Sequence, residues 1–227
     1  MNQPQVLSLE NISKSFSTES GTVEVIKNTS LSIAKGDFTM VTGPSGSGKS
    51  TLLHIAALLD NASSGKIIFG DQDVTNLPLE KIADLRKHKT GIVFQRFCLL
   101  PDRNVLENVM FRFRYIDIDE KKAAELSEKA LEHVGLHDIR HRKARLLSAG
   151  EMQRTAIARA IALTPDILFA DEPTGNLDPD SSFSIMNCLK KLNSENMTIF
   201  MVTHNEKILE YSNRHFICNK GNFTLAK

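Results

Sequence analysis

One glycine-rich run, Gly43-Pro44-Ser45-Gly46-Ser47-Gly48-Lys49-Ser50, constrains this chain more than any other stretch. It fits G-x-x-x-x-G-K-[ST], and its surroundings fit too: the apolar run Phe38–Thr42 before it reads as a strand, and residues 49–59 after it read as a helix. Glycines let such a loop curl until successive backbone N–H groups point inward at one anion. The helix that begins near Lys49 adds the positive end of its dipole. In this pattern the Lys49 ammonium neutralises the β and γ phosphates of a nucleotide, the Ser50 hydroxyl ligates Mg²⁺, and Thr51 is placed for the α-phosphate. The bland alternative is a glycine-rich turn with no ligand. The strand before, the helix after and the additional Gly46 weigh against it.

The rest of the chain supplies the frame such a loop needs. Residues 6–16 and 23–33 read as strands with a turn at Gly21, and residues 66–69 and 92–94 as shorter strands. Residues 120–134 read as a helix whose apolar side carries Ala123, Leu126, Ala130, Leu131 and Val134, with Gly135 as its stop. A second helix is expected at 149–163, then a buried strand at 167–170, a helix at 181–193, a buried strand at 198–203 and a helix at 206–211. Continuous apolar strands alternating with helices imply a mostly parallel sheet covered on both faces. The expectation is an α/β chain with a single domain over residues 1–227. Its core comprises about 1–95 and 164–227, opening with an antiparallel β portion, and a helical insertion fills about 96–163. A length of 227 residues is enough for one such core.

Three further places carry chemistry. Residues 167–170 lead into Asp171 and Glu172, and acids at the end of an apolar strand are costly unless paired or metal-bound. Beside a phosphate loop, Asp171 would hold Mg²⁺ and Glu172 would act as general base on the attacking water. His204 ends the strand at 198–203 and is placed to reach the γ-phosphate; a lone histidine there is otherwise a packed or surface residue. Gln95 ends the strand at 92–94, where it would ligate Mg²⁺ or position water. Ser148 and Glu151 fit a helix N-cap with its partner three residues on, which any helical protein can use. A functional reading adds a second anion site at the Ser148 hydroxyl and the Gly150 N–H.

In chain order these pieces resemble the nucleotide-binding subunit of ABC transporters over the whole chain. The residues that carry the likeness are GPSGSGKST at 43–51, Gln95, LSAGE at 147–151, ILFADEP at 167–173, Asn176-Leu177-Asp178 and His204. The resemblance implies a P-loop NTPase fold of the RecA-like kind that binds and hydrolyses ATP with Mg²⁺. Phe16 stands where the family places an aromatic against adenine, usually Tyr; it would stack there or be a core residue. Two copies would sandwich two ATP molecules head to tail, each site taking Lys49 from one copy and Ser148 with Gly150 from the other, and the resemblance also implies Asp178 as an ATP-binding residue. Where the family usually has LSGGQ, this chain has Ala149 and Glu151; alanine is tolerated only if φ is negative there. The stretches 94–101 and 171–178 are similar to the MacB, LolD and FtsE branch, which implies an integral membrane permease as partner. That branch serves lipoprotein release, macrolide or peptide export, or cell division. Its members lie peripherally on the cytoplasmic side of the inner membrane.

Composition narrows the partners. A formal net charge of +1 offers no bulk field for nucleic acid, so none is expected as a partner. Cys98, Cys188 and Cys218 lack metal-ligand spacing and read as packing residues of a reduced compartment. Residues 1–10 show no leader pattern, and no apolar run approaches the roughly 20 residues that cross a bilayer. Phe97, Leu99, Leu100 and Pro101, followed by Val105, Val109, Phe111 and Phe113, read either as core of the insertion or as a groove for a short helix of a membrane subunit. The basic run His137, Arg140, His141, Arg142, Lys143 and Arg145 reads as a solvated face, with contact to headgroups or a partner as the other reading. The leading expectation is an ATPase subunit that energises a transporter. The rivals are an FtsE-like regulatory ATPase that acts on membrane partners without transport, a soluble ABC ATPase of DNA repair or translation, and a P-loop kinase, which would leave LSAGE and His204 without work.

Overall fold

The structure, a computed structural model, describes residues 4–19 and 21–226. Residues 1–3 of the stretch read for a leader lie outside it. Alternation in the first third produces two long strands, β1 (Gln5–Thr18) and β2 (Gly21–Ala34), paired antiparallel with Leu7 opposite Ile33 and Leu9 opposite Leu31. One face of the pair is apolar and buried through Leu7, Leu9, Ile12, Ile26 and Ile33. After β3 (Phe38–Thr42) and the glycine loop comes α1 (Lys49–Ala56). This helix stops earlier than the expected residue 59, because Leu58 takes a left-handed φ of 59° and turns the chain back. No glycine marks that turn, so the sequence offered no stop signal.

β4 (Ser64–Phe69) and the two-residue β5 (Gln72–Asp73) complete a four-stranded antiparallel sheet in the order β2-β1-β4-β5. Next come α2 (Leu79–Lys89) and β6 (Thr90–Val93), then α3 (Val105–Met110), α4 (Glu120–His133) and α5 (Ala149–Ile161). The chain continues through β7 (Ile167–Asp171), α6 (Pro179–Ser194) and β8 (Thr198–Val202). The expected helix at 206–211 is a 3-10 turn, Glu206–Tyr211, and the hairpin β9 (Arg214–Asn219) and β10 (Asn222–Leu225) follows it. The second sheet runs β10-β9-β3-β8-β7-β6, parallel except where β10 meets β9.

Period-two alternation divides this sheet between two cores. Phe38, Met40, Leu168, Ala170, Ile199 and Met201 face α3–α6. Val41, Ile167, Phe169, Phe200 and Val202 face α1 and the antiparallel sheet, and Phe169 and Phe200 meet edge to face at 6.0 Å. The same alternation carries Asp171 onto the α1 side. The tips of β3, β7, β8 and β6 lie at the carboxyl edge of the parallel strands, where α/β sheets bind ligands. These tips lead into Gly43, Asp171, Thr203-His204 and Phe94-Gln95.

Candidate nucleotide site

The glycine loop is walled by backbone from both sheets. A Cβ on Gly43 (φ 148°) would lie 2.1 Å from the Cys218 carbonyl oxygen of β9, and one on Gly48 (φ 108°) 2.7 Å from the Val25 carbonyl oxygen of β2. Both positions therefore require glycine. Ser47 is held from the far end of the chain: its carbonyl accepts from Gly221 N at 3.0 Å and from Cys218 Sγ at 3.1 Å. Burial pushes the Cys218 thiol above its ordinary range. Pro44, Ser45 and Gly46 form the exposed crest. Lys49 is buried beneath them, 4% exposed, and its Nζ donates to the carbonyls of Gly43 and Pro44, each at 2.9 Å. A buried ammonium satisfied only by loop carbonyls can turn to an anion in the cradle without leaving its place.

α1 places two side chains, one turn apart, on the carboxylate at the tip of β7. Ser50 Oγ donates to Asp171 Oδ1 at 2.8 Å, and His54 Nε2 lies 3.4 Å from Asp171 Oδ2. That carboxylate raises the His54 pKa. Thr51 sits half-buried in the same first turn. At Glu172 the chain leaves the strand with a φ of 45°, a conformation bulky residues rarely adopt. Its N–H still donates to the Val202 carbonyl at 3.0 Å, and its side chain meets His204 of the neighbouring strand end, Oε2 to Nδ1 2.6 Å. Gln95 joins from β6: its Nε2 donates to Asn176 Oδ1 at 3.4 Å, and Asn176 Nδ2 donates to the Gln95 carbonyl at 3.2 Å. Gly175 lets them converge, since a Cβ there would lie 3.0 Å from Gln95 Nε2 and 3.4 Å from Glu172 Oε2.

Lys49, Ser50, Asp171, Glu172, His204 and Gln95 thus gather at one sheet edge. The remaining site residues stand elsewhere. Phe16 is 41% exposed on β1, with the Lys14 ammonium 4.8 Å from its ring centre, so it is a surface aromatic rather than core. Ser148 caps α5, accepting from Glu151 N at 3.2 Å while Glu151 Oε2 accepts from Ser148 N at 2.8 Å; its hydrogen bonds stay within that helix. Gly150 packs on Ser181 of α6. Asp178 caps α6 by accepting from Ser181 N at 2.9 Å, and those hydrogen bonds from Ser181 lower its pKa.

Comparison with known proteins accords with this geometry. The family pattern described as "ABC transporter" matches residues 26–175, well over half of the chain. The chain belongs to the ABC transporter family. It is 41% identical over 210 residues to the lipoprotein-releasing system ATP-binding protein LolD of Aquifex aeolicus, covering 92% of each. It is 42% identical over 217 residues to the macrolide export ATP-binding/permease protein MacB of Chlorobium luteolum, covering 95% of this chain but only 32% of that protein. Among solved structures, the dimeric ABC transporter cassette MJ0796 superposes with a TM-score of 0.86 at 34% identity, covering 97% of both chains. The same cassette is also known after hydrolysis, bound to ADP and Pi, again at a TM-score of 0.86. The chain is an ABC ATPase. Among the described residues no helix is long and apolar enough to cross a membrane.

Within this family the two departures at 147–151 have a local explanation. Ala149 is the first residue of α5 and does not have a positive φ, so its methyl group costs no backbone strain. The Glu151 charge is engaged by the Ser148 N–H and by Arg142 Nη1 at 3.1 Å, and the Ser148 backbone hydrogen bond lowers its pKa. The apolar segment after Gln95 divides: Val105, Val109 and Phe113 are core, whereas Leu100 and Phe111 are about 40% exposed. In the basic run, Arg142 pairs with Glu151 and Arg140 with Glu128, as a solvated face does. Of the cysteines read as packing, Cys218 is buried, Cys188 is half-buried and Cys98 is exposed. Sequence reasoning missed His54, Gly175 and Asn176 as members of the site. The latter two lie inside the 171–178 run already singled out. His54 had one legible signal, its place one helical turn after Ser50.

Proposed function

We propose that this chain is the ATP-driven subunit of a membrane transporter of the lipoprotein-release or macrolide- and peptide-export type, working with Mg²⁺ as a head-to-tail dimer beside an integral membrane permease. The observation that carries the ATPase chemistry is the pair of carboxylates at the tip of β7, one turned to Ser50 and the other to His204. The donor set suits Mg²⁺. Among the described residues no group of three or more His, Cys, Asp or Glu forms a cage. Mg²⁺ typically needs no such cage, being bound through one or two carboxylates together with waters and substrate phosphates. Ser50, Asp171 and Gln95 would hold the ion; when bound, it supplies charge neutralisation at the phosphate oxygens. Because the Ser50 hydroxyl spends its hydrogen on Asp171, its lone pairs remain free for a cation.

In this reading Lys49 and the loop N–H groups from Gly43 to Thr51 bind the phosphates, and Phe16 stacks on adenine. Glu172 orients the attacking water and takes its proton; His204 fixes the Glu172 carboxylate and faces the γ-phosphate. Ser148 and Gly150 crown α5 on a surface that, among the described residues, makes no hydrogen bond to residues 43–51, which supports their service to the loop of a second copy, with Asp178 beside them. A groove of about 860 Å³ beside His204, lined by Gly175, Leu177 and the 63%-exposed Phe183, supports the same reading as a face to be covered. The exposed Leu100 and Phe111 support a permease contact, on the cytoplasmic side of the inner membrane. The relatives LolD and MacB are named for lipoprotein release and macrolide export, which supports the type of transporter.

The test is Glu172→Gln. The variant is expected to bind ATP as the parent does, lose turnover by 10²-fold or more, on the order of a general base's contribution, and accumulate an ATP-bound dimer in light scattering. Unimpaired hydrolysis would refute the assignment. Co-purification of a membrane protein with a substrate cavity separates a transporter from a regulatory ATPase.

A further inference from the structure

We propose that His54 is a positioning residue for the metal-facing carboxylate, holding Asp171 in the rotamer that meets Ser50. The inference rests on the reading of Asp171 as a Mg²⁺ carboxylate and adds a residue to it. Ser50 and His54 occupy positions i and i+4 of α1, so both side chains project over the same face. Each takes one oxygen of Asp171: Ser50 Oγ is 2.8 Å from Oδ1, and His54 Nε2 is 3.4 Å from Oδ2. The Asp171 side chain is only 15% exposed, so water offers little of its solvation.

The imidazole is itself held. Its Nε2 is buried and has no hydrogen bond in good geometry among the described residues, which leaves the Asp171 carboxylate as the group it faces. A buried ring nitrogen without a completed hydrogen bond is a costly arrangement unless its contact with the carboxylate is used. The ring also stands edge-on to Phe94, with centroids 6.3 Å apart and planes at 62°. Phe94 directly precedes Gln95, so one ring touches both the carboxylate at the tip of β7 and the segment that carries the amide at the tip of β6. His54 therefore fixes the separation of two oxygen donors without being one of them. Groups that orient metal ligands in this way typically contribute 10- to 100-fold to metal affinity.

A rival role is that of plain packing or of a cation near the C-terminal end of α1. The experiment uses the full chain at saturating ADP, where no turnover occurs, with Mn²⁺ as the probe and its binding midpoint read by electron spin resonance. His54→Phe keeps an aromatic edge for Phe94 and removes the nitrogen; it is expected to raise the Mn²⁺ midpoint by about 10-fold. ADP affinity in EDTA should stay unchanged. His54→Gln, which restores a terminal N–H, is expected to recover most of the loss. Asp171→Asn should raise the midpoint at least as far, and adding His54→Phe to it should have little further effect. If Asp171→Asn shifts the midpoint while His54→Phe stays within about twofold of the parent, the role of His54 is overturned and the metal reading stands. If Asp171→Asn leaves the midpoint unmoved, the metal reading fails first. Should His54→Phe not fold, His54→Gln and His54→Ala carry the comparison: equal midpoints in the two would overturn the proposal.

Discussion

At the scale of single residues, the site is specified by backbone clearance as much as by charge. Lys49 and Ser50 are named by chemistry, but the loop that holds them exists because Gly43 and Gly48 have no side chain. Two carbonyl oxygens, from Cys218 and Val25, occupy the space a Cβ would need. Gly43→Ala should therefore lose ATP binding altogether, and its melting temperature should fall, because backbone 2.1 Å away cannot rotate aside as a side chain would. Calorimetric titration with ATP and a thermal melt check this; retained affinity would show that the loop is not in this conformation when it binds. The substitution at Ala149 is the opposite case. Position 149 opens α5 in helical geometry, so a methyl group is admitted where the family usually has glycine. Sequence alone left that question open, since the sign of φ is set by where α5 begins.

Elements show where pattern reading works and where it stops. β3, β7 and β8 were legible because apolar residues dominate each short run and almost every position is buried, and such runs have one use in an α/β sheet. α2 was not read from the sequence: none of its residues is fully buried, Leu79 is 81% exposed, and only Ile82 and Leu85 among its large apolar residues pack on the core, a weak stripe in a strongly charged stretch. α3 is only six residues long, and the β9–β10 hairpin is edge structure with few buried positions. The cap of α5 at Ser148 was legible and correctly placed, and it has a pH signature. The native fold holds the Glu151 carboxyl below its ordinary value of 4.5 through the Ser148 N–H. A lowered folded pKa means that the contribution to stability is complete above the unfolded value and is lost as pH falls through the folded one. Glu151→Gln keeps the capping geometry and removes the titration. Urea midpoints at pH 7 and pH 4 should differ less in this variant than in the parent; an equal drop in both would assign the acid sensitivity elsewhere.

For the whole molecule, the parallel sheet brings four strand ends together at one edge, and α5 presents its own N-terminus outward. A composite site has a consequence that a self-contained one lacks. If Lys49 and Ser148 act across a dimer, a Lys49→Ala copy paired with a Ser148→Arg copy retains one site with both halves intact. Mixing the two inactive proteins should restore part of the ATPase rate, while each alone stays inactive. No recovery at concentrations where the mixed dimer forms would mean that Ser148 serves its own chain.

The amino-acid sequence by itself determined the cradle, the two acids, the cap at Ser148 and the α/β class, because each depends on local spacing: glycines in a loop, acids after an apolar strand, a cap three residues before its partner. The tertiary structure decided what those groups meet. Alternation along β7 sends Asp171 towards α1, the left-handed turn at Glu172 sends the next acid towards His204, and Gly175 admits Gln95. The contact of His54 with Asp171 became visible only when helix and strand were brought within 3.4 Å, since a contact between residues 117 positions apart leaves no periodic trace in the chain.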